Sequence, residues 1–317
     1  MNTSCTCTHQ PDDDSSTSLK LAAVSALEVL ANKFPSHDSV FSVCLGSVSR
    51  RICSDNSSLS SRCLHATGAL INVLGPKALP ELPGIMGCVV RKSRDVPSVA
   101  AETKRIADRT TGSSNLKDSL SISILLTLEA VVDKLGGFLK PYLADILGLI
   151  VLHPLYVSTT EPKLKLKADV VRKLITDRIP VRLLLPPVLG IYSDAAKSGE
   201  SSLSIVFEML GNLVNSMDRS SIGAYYTKIF DLCLLALDLR RQHPASIRNI
   251  IIFEKNVLSA TVTLTMKLTE TMFRPPFIKS IEWSSSDVED SECTPGQTTN
   301  RLISFYALVN KLAENHR

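Results

Sequence analysis

The sequence predicts an all-α protein, an α-solenoid built from stacked antiparallel helix pairs. Three observations carry that expectation. Apolar residues recur at helical spacing in successive segments, short Gly- and Pro-bearing turns separate those segments, and two nine-residue strings resemble each other, matching at four positions.

The first stripe runs through Leu19, Ala22, Ala23, Ala26, Leu27, Leu30, Ala31 and Phe34, and Pro35 stops it. A second runs through Val40, Phe41, Cys44, Leu45, Val48 and Ile52. A third runs through Leu59, Cys63, Ala66, Leu70, Val73 and Leu74 and ends at Gly75-Pro76. Each is about four turns long, so each buries one face against its neighbours. Further helices are expected over Ser201–Met217, Ser220–Leu239, Pro244–Met272 and Thr298–Glu314. Two stretches oppose this reading locally. Ala260–Thr269 (ATVTLTMKLT) and Ser119–Ser123 (SLSIS) alternate polar and apolar residues as strands do. Both are assigned to helices, because isolated strands have no pairing partners in this chain.

The repeated string is LGPKALPEL (Leu74–Leu82) and LGGFLKPYL (Leu135–Leu143), at an offset of 61 residues. Gly is expected to end one helix in a left-handed conformation, and Pro to start the next where its missing N–H costs nothing. A looser third copy, RIPVRLLLPPVLGIY, places Pro186 45 residues beyond Pro141. An offset near 45 is the HEAT-type period. The excess in the first offset is assigned to a polar insertion near residues 91–115, which holds Pro97, Gly112 and several serines. The expected organisation is a disordered polar and acidic N-terminus (1–18), then a HEAT-like helical array (19–317). An acidic Ser-rich loop interrupts the array near 284–297.

Composition narrows the class. Of 317 residues, 44% are hydrophobic and 21% charged, ordinary for a folded protein, and a net charge of +4 neither demands nor excludes nucleic acid. Cysteines stand at 5, 7, 44, 53, 63, 88, 233 and 293 without a CxxC, which fits a reducing compartment. Asp12, Asp13 and Asp14 rule out a signal-peptide core in the first 18 residues, and the apolar runs are too short to span a bilayer.

No constellation for catalysis, cofactor binding or metal binding emerges, and the chain is expected not to be an enzyme. CTCTH (Cys5–His9) offers three soft ligands without a fourth and without zinc-type spacing. His153 and His243 precede prolines, a turn composition. Glu282, Asp287, Glu289, Asp290 and Glu292 read as a solvated loop, since catalytic carboxylates need a dry site. Two basic stretches remain. One carries Arg91, Lys92, Arg94, Lys104, Arg105 and Arg109. The other carries Lys163, Lys165, Lys167, Arg172, Lys173, Arg178 and Arg182. Arg91, Lys92, Arg94, Lys163, Lys165, Lys167, Arg172 and Lys173 are the candidate RNA-phosphate contacts. The competing reading is a solvated helix face, because no aromatics interleave for base stacking.

Several strings resemble a known family. LKLAAVSALEVLANKFPSHDSVF (19–41), TGALINVLGPKALPELPGIM (67–86), LEAVVDKLGGFLKPYLADI (128–146), KADVVRKLITDRIPVRLLLPP (167–187), MDRSSIGAYYTKIFDLCLLALDLRR (217–241) and KLTETMFRPPFIKSIEW (267–283) are similar to the U3 small nucleolar RNA-associated protein 10 family. Its animal members are called HEAT repeat-containing protein 1, and the wording stands nearest to plant members. The resemblance covers Leu19 to Arg317 and the C-terminal portion of much longer proteins, so the chain is read as a truncated piece whose last repeat exposes apolar surface. It implies a non-catalytic scaffold of the small-subunit processome in the nucleolus of the nucleus. The implied work is pre-rRNA processing toward 18S maturation, linked to transcription by RNA polymerase I. The implied partners are other processome proteins, pre-rRNA and the small nucleolar RNP, with no cofactor, membrane or small-molecule substrate. The rival reading is a generic HEAT adapter of the transport or phosphatase-scaffold type.

Overall fold

A computed structural model describes residues 14–36, 38–95, 113–242, 245–286 and 297–315, and among these every regular element is helical. The chain is all-α, of HEAT type. It divides into two compact units, Met1–Gly136 and Gly137–Arg317.

In the first unit, α1 (Asp14–Lys33), α3 (Ser57–Leu74) and α5 (Ser113–Leu135) share one layer. Glu28 pairs with His65, Ser61 meets Ser119 and Ser123, and Thr127 donates to the Leu64 carbonyl, so chain numbers rise together and the three helices run parallel. Helices α2 (Asp38–Ser49) and α4 (Leu82–Asp95) return between them and pack on each other. Each unit of structure is thus a hairpin, and like helices stack on like. Asn56 caps α3 by accepting from the Leu59 N–H at 3.0 Å, and Gly75 ends it at φ +53°. Pro76 opens the 3₁₀ link Gly75–Glu81 that leads into α4.

The repeated string marks equivalent helix ends. Leu74 and Leu135 close α3 and α5, which are neighbours in one layer. Gly136 departs from the expected left-handed cap, however. Among the described residues only Gly75 and Gly199 have positive φ, and Gly136 continues into the 3₁₀ turn Gly136–Phe138. The third copy is out of register. Pro186 stands inside a helix beside Pro187, and the proline that starts that helix is Pro180, its N-cap.

In the second unit, α6 (Leu143–Leu147) runs into a π turn (Gly148–Leu152) and the short α7 (Pro154–Val157) follows. Four longer helices form one layer: α8 (Pro162–Arg178), α11 (Glu200–Ser216), α15 (Ile250–Thr265) and α17 (Gln297–Asn315). Their starts lie 38, 50 and 47 residues apart, which brackets the HEAT period. α11 and α15 are tied at both ends. The Asn249 N–H donates to Glu200 at 3.2 Å, and Lys267 Nζ donates to the Asn215 and Met217 carbonyls at 2.6 and 2.7 Å. The returning layer holds α9 (Val181–Gly190), α10 (Tyr192–Ser198), α13 (Tyr226–Leu237) and α16 (Glu270–Ser285), with one-turn helices α12 (Arg219–Ile222) and α14 (Leu239–Gln242) at the links.

Three expected boundaries shift. Ser220–Leu239 is broken into α12, α13 and α14, and Pro244–Met272 contributes only Ile250–Thr265 before a turn. The helix α1 starts at Asp14, so the last residues of the polar N-terminus are helical. Arg91–Asp95 and Ser113–Asn115 are helical too, while 96–112 lies outside the described residues, as does most of the acidic loop (287–296).

Ser119–Ser123 and the Ala260–Thr265 part of the other strand-like stretch are helical, Met266–Thr269 forming the turn that follows, and the reason is visible. Thr261 donates to the Val257 carbonyl at 2.8 Å and Thr265 to Val262 at 2.9 Å, so buried hydroxyls are satisfied within their own helix. Likewise Ser123 donates to the Ser119 carbonyl at 2.6 Å, and its hydroxyl meets Ser61 of α3 at 2.7 Å. Small residues here, with Gly68 beside Thr127, let α3 and α5 approach closely.

Two ion-pair clusters fix the second unit internally. Arg172 is buried, with a side chain only 6% exposed. Its Nε and Nη2 donate to the Ile150 carbonyl at 3.0 and 2.5 Å, Nη2 also reaches the Tyr156 carbonyl at 2.7 Å, and Nη1 pairs with Asp169. This guanidinium satisfies backbone oxygens around the π turn and α7, where helical bonding is irregular. The second cluster holds α17. Arg301 Nε donates to Asp238 at 2.5 Å, Asp238 also takes Arg241, and Glu254 takes both Arg240 and the Ser304 hydroxyl.

Candidate interaction face

The layer α8–α11–α15 carries two open grooves. An open groove of about 640 Å³ runs between α8 and α11, floored by Leu166, Val170, Ile205 and Met209. Its rim carries Asp169, Asp177 and Glu208 against Lys173, with Asn212 and Asn215 at the far side. A second groove between α11 and α15 shares Glu208, Asn212 and Asn215 and adds Ser204, Asn256, Ser259 and Thr263.

The helical repeat explains this arrangement. Leu164, Ala168, Val171 and Ile175 take the core side of α8. Leu166, Val170, Lys173 and Asp177 therefore fall together on the groove side, at spacings of three and four. Leu166 and Val170 are largely exposed, and large apolar side chains grouped in a groove mark an interaction surface more than scattered ones do. Asn212 and Asn215 stand almost one turn apart, each offering an amide donor and acceptor. Such a strip suits a peptide backbone, while the apolar floor suits its side chains.

The residues proposed for phosphate contact fall in both units, three on α4 and five on α8. Arg172 and Lys92 must be withdrawn. Arg172 is buried with its donors spent on backbone carbonyls, and Lys92 is 8% exposed with Nζ donating to the Ser54 carbonyl at 2.8 Å. A helix stripe read from sequence gives no sign of which cation turns inward, so both passed as surface residues. Arg91, Arg94, Lys163 and Lys173 are exposed, and Lys165 and Lys167 are half-buried. Lys173 shares its rim with Asp177 and Glu208, beside Asp169 paired with Arg172, an acidic balance that disfavours a phosphate chain. Lys163 and Lys167 lie one turn apart on α8. Lys104, Arg105 and Arg109, the CTCTH string and His243 lie outside the described residues.

Sequence reading missed two features. Asn212, Asn215 and Asn256 carry no sequence signature, since polar residues on a helix look alike until a groove forms beside them. The thiols of Cys53 and Cys88 were also passed over, because 35 residues separate them and no spacing rule links them. Among the described residues no group of three or more His, Cys, Asp or Glu side chains is placed to hold a metal ion, and no helix is long and apolar enough to cross a membrane.

Comparison with known proteins places this geometry in a family. Residues 221–317 match the BP28CT (NUC211) domain, the segment that contains α13 to α17 and the Asp238–Arg301 cluster. An uncharacterized protein of Arabidopsis thaliana is 54% identical over 306 residues, covering 96% of this chain. The HEAT repeat-containing protein 1 homolog of Dictyostelium discoideum is 32% identical over 169 residues, 52% of this chain and 8% of that protein. The U3 small nucleolar RNA-associated protein 10 of Saccharomyces cerevisiae is 25% identical over 281 residues, 88% of this chain and 15% of that protein. The chain spans 14% of the length of its Arabidopsis relative. With its stacked helical hairpins and its BP28CT segment, the chain belongs to the family of HEAT repeat-containing protein 1 and U3 small nucleolar RNA-associated protein 10.

Proposed function

We propose that the chain serves as a non-catalytic scaffold in nucleolar small-subunit processome assembly, supporting pre-rRNA processing toward 18S maturation. The observation that carries this reading is the similarity along nearly nine-tenths of the chain to a protein named for association with U3 small nucleolar RNA. The α8–α11–α15 face supports it physically. Its occupant under this reading is an extended segment of another assembly protein bearing Lys or Arg, because Asp177 and Glu208 outnumber Lys173 on the rim once Asp169 is paired with Arg172, and the asparagines match a peptide backbone.

RNA contact is assigned to the exposed Arg91, Arg94 and Lys163 and the half-buried Lys165 and Lys167, none of which lines that groove. The experiment is affinity purification of the tagged full-length protein from cells of its own source, with ultraviolet crosslinking before lysis. U3 RNA, pre-rRNA and processome proteins are expected to co-purify from the nucleolus, with crosslinks at those cations. Recovery of transport factors or phosphatase subunits without any nucleolar RNA would favour the generic adapter and end this proposal.

A further inference from the structure

We propose that Cys53 and Cys88 form a peroxide-reactive dithiol, in which Cys88 is the attacking thiolate and Cys53 the resolving thiol. The site is built from two separate elements of the first unit. Cys53 closes the turn that follows α2, held by the Arg51 and Ile52 N–H bonds to Val48 and Ser49. Cys88 projects from α4 toward the same turn, its sulfur 4.0 Å from the Ser49 carbonyl. Cys53 and Cys88 are brought side by side where α4 meets this turn, each sensing the other's charge and that of Arg91. Arg91 lies one helical turn beyond Cys88 and its Nη2 donates to the Cys88 sulfur at 3.7 Å. Lys92, anchored on the Ser54 carbonyl, adds a second positive charge beside the pair.

This is the setting that makes a cysteine reactive: partly exposed, next to cations, and beside a second sulfur. The neighbouring Cys53 thiol and the Arg91 guanidinium hold the Cys88 thiol below its ordinary range, against the opposing effect of burial. The neighbouring Cys88 sulfur, with burial, holds the Cys53 thiol well above its ordinary range. The other thiols differ. Cys63 and Cys233 are fully buried, and burial pushes them up to about 11 and about 12, respectively.

The chemistry balances with hydrogen peroxide as oxidant. The Cys88 thiolate attacks one peroxide oxygen, the O–O bond breaks, and hydroxide leaves and takes up a proton as water, giving a sulfenic acid. The Cys53 sulfur then attacks the sulfenic sulfur as it gives up its proton. The S–O bond breaks, the second water leaves, and a disulfide joins the α2–α3 turn to α4. Two thiols and one peroxide thus become one disulfide and two waters, and a dithiol reductant reverses the change.

The test uses the full chain, reduced and then exposed to one equivalent of hydrogen peroxide. Remaining thiols are blocked with N-ethylmaleimide and peptides mapped without reduction. The expected major product is the Cys53–Cys88 linked peptide, formed about tenfold faster than any oxidation of half-buried Cys44, which lacks the paired sulfur. Cys53→Ser should accumulate a Cys88 sulfenic acid that dimedone traps, and Arg91→Gln should slow that trapping several-fold while the circular dichroism spectrum stays unchanged. Oxidation of Cys88 without linkage to Cys53, or consumption of Cys44 as fast as Cys88, would overturn the proposal.

Discussion

Replacing Arg172 with alanine is expected to destabilise the second unit by several kcal/mol. The buried carbonyls of Ile150 and Tyr156 would lose their donor, at about 1–3 kcal/mol for each unsatisfied group. The cavity left by the side chain adds to this. Arg172→Lys should recover only part of the loss, because one ammonium cannot span two carbonyls and Asp169 as a planar fork does. Thermal unfolding and hydrogen exchange across Gly148–Val157 are the readouts. Faster exchange confined to that segment in Arg172→Lys, and a global loss in Arg172→Ala, is the expected pattern. An Arg172→Ala protein that melts with the parent would contradict the structural role given to this guanidinium.

The second large effect is expected at the cluster that seats α17. Arg301→Ala leaves Asp238 with Arg241 and the Gln242 amide in a site only 8% open on the carboxylate side, and breaking a buried pair from one end costs up to about 3–5 kcal/mol. Arg301 also lies over the Trp283 ring at 5.5 Å and donates to Ser286 at 3.0 Å, so its loss frees the end of α16 as well. Hydrogen exchange over Gln297–Asn315 should rise most. The cluster also carries a pH signature. Burial pushes the Asp238 carboxyl up, but the guanidiniums of Arg301 and Arg241 outweigh it and hold the group below the usual carboxylate range. A depressed folded value contributes stability above the unfolded pKa of about 4, and the contribution disappears as pH falls through the folded value. Acid should therefore loosen α17 in the parent, and Asp238→Asn should be weaker at pH 7 but flatter across the acid range. Equal acid sensitivity in both proteins would contradict this assignment.

Much of the fold could be read from apolar spacing. The stripes at Leu19–Phe34 and Leu59–Leu74 correspond to α1 and α3, and the doubled string found two equivalent helix ends in one layer. What failed did so for local reasons. Pro186 resembled a helix start because proline favours the first turn, yet the earlier Pro180 already occupied that role. The broken stretch Ser220–Leu239 has continuous apolar periodicity, but Asp218 caps a single turn by accepting from the Ser221 N–H before α13 begins. The candidate face was less legible. Its apolar floor depends on Leu166 and Val170 turning away from the core, and its rim on which charges the neighbouring helix brings alongside. Periodicity locates the face of one helix but not the residues another helix places opposite it.

The sharpest test of the scaffold reading compares two full-length proteins in the same cells, the parent and a variant with Asn212→Glu and Asn215→Glu. Both positions are exposed on α11, so the fold should persist, as circular dichroism and the melting midpoint would verify. The account predicts that the parent co-purifies processome proteins and U3 RNA, while the variant folds normally and loses at least one of those protein partners. A folded variant that recovers every partner at parental levels would contradict the assignment of partner docking to the α8–α11–α15 face.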